Sequence, residues 1–101
     1  MNYDLDYFIT KFTAIPDEFW CTGEYISKDN SERRCALGHC GEDEYDGPTE
    51  ESLTLYELVH KNLNIHISEL NDYSCDDYPQ PTPKGRVLAA LHKIPRSNYL
   101  L

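Results

Sequence analysis

Residues 34–41 read Arg34-Cys35-Ala36-Leu37-Gly38-His39-Cys40-Gly41, an apolar, small-sided stretch that is poor in charge within a chain otherwise crowded with acids. Such a stretch constrains the fold more than any single helix pattern, because it is suited only to passing through the interior. Gly38 and Gly41 permit close backbone approach or a positive φ. Two of the four cysteines and one of the four histidines lie here, so any chemistry the chain performs is expected here too. Free cysteine is among the most buried residue types, and each thiol is expected to be a reduced, small core side chain.

The length of 101 residues suits one domain with one core, spanning 1–101 with its packed part at about 3–95. Eight Tyr against three Phe suggest half-buried rings with their hydroxyls in water or on polar partners, some of them lining a cleft. Lys and Arg number 9 and Asp and Glu 18, a net charge of −9. That balance disfavours nucleic-acid backbones and anionic membranes as partners and favours a basic protein surface. The first residues have neither a basic nor an apolar leader character, and no apolar run is long enough to span a bilayer. We expect a soluble, cytoplasmic protein with its thiols reduced.

The pattern predicts an α+β fold, three helices packed around a small β-hairpin. Leu5, Phe8, Ile9 and Phe12 recur at helical spacing over 2–13, with Asn2 as cap and Pro16 as stop. Phe19 and Trp20 are expected to return to the core. Segments 24–27 and 33–36 read as hairpin strands around the polar tip 28–32. Thr49 caps a second helix with Glu50 and Glu51 in its first turn, and Leu53, Tyr56, Val59, His60 and Leu63 form its apolar face. Ile65 and Ile67 alternate with polar neighbours as in an extended stretch, although 68–70 can equally begin another helical turn. A polar connection over 71–82 leads to Thr82 and Pro83, the start of a last helix with its stripe at Val87, Leu88, Leu91 and Ile94.

Trp20-Cys21-x-Gly23, Cys35-Ala36-Leu37-Gly38, Asn71-Asp72 and the closing Arg86-Val87-Leu88-Ala89-Ala90-Leu91 resemble, in type and order, an uncharacterised small-domain family of bacteria and their viruses. The resemblance runs from about residue 7 to 94. It implies a shared fold and a viral origin, and it brings no activity, cofactor or catalytic residue with it.

Three kinds of site compete. Cys35, His39 and Cys40 cluster, with Cys21 and Cys75 as further thiols, and together could supply tetrahedral zinc. Zinc sites of small domains take paired ligands roughly two to four residues apart from two separate places, which this chain lacks, so no cofactor is expected. A thiol nucleophile built from Cys40, His39 or His60, and Asp72 has no recognised motif around it, and the carboxylate pairs Asp76-Asp77 and Glu50-Glu51 read as loop and helix-start acids. An enzyme is therefore the least expected class. Asn71 and Asp72, beside Trp20 and Tyr73, would anchor a small, nucleotide-like ligand on an aromatic face, with Arg86 available for its anionic group. The alternative partner is a basic host protein, engaged through Glu42, Asp43, Glu44, Asp46, Asp76 and Asp77 by a surface that mimics nucleic acid.

Overall fold

The computed structural model describes residues 3–95. Five α-helices are found there: α1 (Leu5–Ala14), α2 (Ala36–His39), α3 (Glu50–Leu63), α4 (Ile67–Asp72) and α5 (Pro83–Lys93), with a 3-10 turn at Asp17–Phe19. The expected α+β class is overturned, since no sheet or hairpin forms among the described residues. Segments 24–27 and 33–36 do approach, but they meet only at an isolated bridge between Ile26 and Arg34. The physical reason lies in Cys35, whose backbone is still extended but which is already the N-cap of α2, so the chain turns helical at Ala36 and the second strand ends after one pairing. Arg34 is shared with a third piece of chain: its carbonyl accepts from Cys21 N at 3.1 Å and its N–H donates to Phe19 O at 3.0 Å.

The helices begin where their caps dictate. The Asp4 carboxylate accepts from Tyr7 N at 2.8 Å and starts α1, while Asn2, the expected cap, lies outside the described residues. Thr49 and Ser52 cap α3 reciprocally: Thr49 Oγ1 accepts from Ser52 N at 3.0 Å and Ser52 Oγ accepts from Thr49 N at 2.8 Å, satisfying two of the orphan donors of a helix start. This box also sets the rotation of α3. Ser52 faces inward, so Leu55 and Val59 at the third and seventh positions beyond it are buried, and Leu53, expected on the inner face, is 50% exposed. Asn64 ends α3 in the left-handed region at φ 55°, its N–H returning to His60 O.

Two further expectations are corrected. The alternation at 65–67 does not make an extended stretch, because Ile67 and Leu70 turn inward together on α4 and are both buried. Asn71 and Asp72 belong to the last turn of that helix and not to the connection before α5. The start of α5 is as expected: Thr82 Oγ1 accepts from Gly85 N at 3.0 Å, with Pro83 in the first helical position.

One core joins all five helices, with α5 against α1 and α4, and α2 touching α3, α4 and α5. Phe8, Phe12, Leu55, Val59, Ile67, Val87, Ala90 and Leu91 have no exposed surface, each of the large aliphatic and aromatic ones contributing roughly 1.5–3 kcal/mol by leaving water. Trp20 returns to the core, its ring edge-on to Phe12 and His39. Cys35, Ala36, Leu37, Gly38 and Cys40 are buried at the centre. Gly38 admits the backbone of the neighbouring segment so closely that a Cβ there would lie 2.0 Å from Tyr25 O.

Candidate functional site

The end of α4 is tied down by polar groups that sequence reasoning assigned to ligand binding. Asn71 is 1% exposed. Its Oδ1 accepts from Ala36 N at 3.0 Å and its Nδ2 donates to Cys21 O at 2.8 Å and to Asp72 Oδ1 at 2.9 Å. Asp72 Oδ1 also accepts from Gly23 N at 3.1 Å. The side chains thus fasten the start of α2 and the 21–23 segment to α4. Arg86, 4% exposed, reaches back from α5 with Nε donating to Leu70 O at 2.7 Å, Nη2 to Asn71 O at 2.7 Å and Nη1 to Gln80 O at 2.9 Å. Its fork occupies the carbonyl end of α4, where a cation is favoured. Trp20 is buried, its Nε1 donating to Ile15 O at 3.3 Å, and Tyr73 is 71% exposed. Of the five residues expected to bind a small ligand, Asn71 and Asp72 line a cavity that Trp20, Tyr73 and Arg86 do not line.

That cavity is a groove of about 970 Å³. One wall is segment 23–28. A second wall comprises loop residues Glu42, Asp43, Glu44, Tyr45 and Pro48, and the floor comes from α2 with Ser52, Leu53 and Tyr56 of α3 and Ile67, Ser68, Asn71 and Asp72 of α4. Two sequence candidates, the Asn71-Asp72 pair and the acidic run at 42–44, therefore face one space. Glu24, Glu42, Asp43, Glu44 and Asp72 line it with Lys28 as its one basic residue. Between these charges lie apolar and aromatic surfaces, including Leu53 and Tyr45, the latter 88% exposed.

The 42–48 wall has its own internal order. Asp43 Oδ1 accepts from Tyr45 N at 2.9 Å and from Asp46 N at 2.6 Å, and Asp43 O accepts from Gly47 N at 3.0 Å, a side-chain-supported turn that presents Glu44 and Asp46 outward. Glu42 is different. It is 8% exposed, and the Tyr25 phenol donates to its carboxylate, which pushes the Tyr25 pKa up. Asp46 stands beside the groove without lining it, and Asp76 and Asp77 are exposed elsewhere, near the end of α5, where Lys93 donates to Asp77 O at 3.4 Å.

Among the described residues no group of three or more His, Cys, Asp or Glu side chains is placed to hold a metal ion. His39 turns Nε2 to Phe19 O at 2.8 Å, a contact in which the ring must donate, and burial lowers its pKa. Burial also raises the thiols of Cys21 and Cys40, and raises Cys35 from 9.0 to about 11. Cys75 alone among the four is exposed. At pH 8 the native protein is expected to give dithionitrobenzoate one fast thiol, Cys75, with Cys21, Cys35 and Cys40 reacting only on unfolding. Because unfolded Cys35 ionises before the folded residue does, its contribution to stability is intact below pH 9.0 and is lost as pH rises to about 11. Urea midpoints measured across that interval should fall.

No family model, curated protein or solved structure matches the chain. No helix among the described residues is long and apolar enough to cross a membrane.

Proposed function

We propose that this chain is a non-enzymatic binding protein that engages a basic partner protein through the groove between segment 23–28 and loop 42–48, acting as a viral or bacterial accessory factor on a host protein. What supports this reading is the groove's charge: five acidic residues line it against Lys28, within a chain of net charge −9. A cationic surface would be drawn to it and held in register by the apolar patches between the acids. The competing ligand, a small nucleotide-like molecule, finds less here, because the guanidinium suited to its anionic group is committed to three backbone carbonyls.

Fluorescently labelled decalysine, decaglutamate and ATP test the reading. Decalysine binding is expected to weaken roughly tenfold or more between 50 and 300 mM NaCl. The double substitution Glu44→Lys and Asp46→Lys, at two exposed positions, should weaken it comparably at low salt. Decaglutamate and ATP should not bind. ATP binding together with salt-insensitive decalysine binding would overturn the proposal.

A further inference from the structure

Glu42 is the residue that the fold leaves without its natural counterpart. The residue is nine-tenths buried, and a carboxylate drawn out of water is best held by a cation. Yet the one ion pair among the described residues is Lys11 with Glu51, between α1 and α3. Glu42 has instead the neutral phenol of Tyr25, and it lines the groove. A second feature lies on the wall formed by segment 23–28. At the bridge between Ile26 and Arg34 the flanking bonds are Ser27 N to Arg33 O at 2.8 Å and Cys35 N to Tyr25 O at 3.2 Å. In that arrangement the N–H and C=O of Ile26 point away from Arg34. Neither has a partner among the described residues, so segment 25–27 keeps one free edge.

Resting on the reading above, we propose that the groove takes an extended basic segment of the partner, with one lysine or arginine side chain seated on Glu42 and the segment's backbone along the free edge at Ile26. Glu42 is then the specificity-determining anchor. It supplies a carboxylate in the groove's lining, bonded to the Tyr25 phenol but to no cation, that a lysine ammonium or arginine guanidinium completes, while Glu24, Asp43, Glu44 and Asp72 set the long-range attraction. A partner strand alternates its side chains, which suits a basic residue pointing to Glu42 followed by one pointing to solvent.

Two peptides that differ only in charge test this: acetyl-Val-Lys-Val-Lys-Val-amide and its counterpart with norleucine in place of lysine, titrated calorimetrically into the whole chain. The lysine peptide is expected to bind at least tenfold more tightly. Glu42→Gln should abolish that preference with its circular dichroism unchanged, whereas Asp76→Asn with Asp77→Asn, equally acidic but outside the groove, should preserve it. A lysine preference that survives Glu42→Gln would overturn the anchor while leaving the acidic-groove reading standing. No lysine preference in the unsubstituted protein, or equal binding of the norleucine peptide, would overturn both. Self-association seen by sedimentation that the lysine peptide does not reverse would identify a second copy as the occupant and also overturn the proposal.

Discussion

Gly38→Ala is expected to cost about 3–5 kcal/mol, a large part of the 5–15 kcal/mol that usually separates a folded domain from its unfolded chain. The added methyl would sit 2.0 Å from Tyr25 O and 3.1 Å from Arg34 Cβ. Neither neighbour can move cheaply. Tyr25 O accepts the Cys35 N–H at 3.2 Å, and Arg34 is bonded on both sides of its backbone. Relief requires α2 to lift from segment 25–27, which opens the floor of the groove and the centre of the core together. Gly23→Ala separates crowding from backbone preference: nothing lies within 4 Å of a Cβ there, but φ is +77°, so its cost should stay near 1–2 kcal/mol. Urea denaturation of both variants measures the difference, and near-equal midpoints would contradict the packing described for Gly38.

Arg86→Met should cost about 3–5 kcal/mol. Methionine fills part of the volume but leaves Leu70 O, Asn71 O and Gln80 O without the donors they now have at 2.7, 2.7 and 2.9 Å. Each unsatisfied buried acceptor costs roughly 1–3 kcal/mol, and partial access of water to Gln80 holds the sum below its maximum. Arg86→Lys should recover little of this, because a single ammonium cannot reach three carbonyls that the planar fork reaches from two sides. Thermal and urea denaturation decide the matter. If Arg86 were reserved for a ligand, Arg86→Met would leave stability within about 0.5 kcal/mol and would change binding instead.

The parts of the fold legible in the sequence are those written in local chemistry. Thr49 with Ser52, and Thr82 with Pro83, announce helix starts through groups only a few residues apart, and Leu5, Phe8 and Phe12 declare one face of α1 by spacing alone. The small-sided passage at 35–40 is legible for a similar reason, since nothing but an interior suits it. The hairpin does not form among the described residues. Segments 24–27 and 33–36 have strand-like composition, but the second is taken over by the cap of α2 after one residue, a competition that neither segment shows by itself. The inner face of α3 is rotated from the expected one because Ser52, polar by type, is fixed inward by its capping bonds.

Asn71 and Arg86 show the limit of reading a site from residue types. A polar side chain reserved for a ligand and one consumed by distant backbone carbonyls have the same letters, and the partners of Arg86 lie six to sixteen residues away in a helix end and a turn. The groove is half visible in the sequence: Asn71-Asp72 and the acidic run at 42–44 are both polar candidates, but only the folded chain brings them to line one space. Nothing in the sequence sets Glu42 apart from Asp43 and Glu44. Its burial follows from Glu42 N donating to Leu37 O at 3.2 Å, which draws the residue against α2 while its neighbours turn outward.

The most direct measurement of whether this groove is where the protein binds is an amide chemical-shift map of the isotope-labelled chain titrated with decalysine. The largest shifts are expected at Tyr25, Ile26, Glu42 and Asp72, on the walls and floor of one cavity. Shifts centred on Asp76, Asp77 and the end of α5, or spread evenly over every exposed acid, would contradict it.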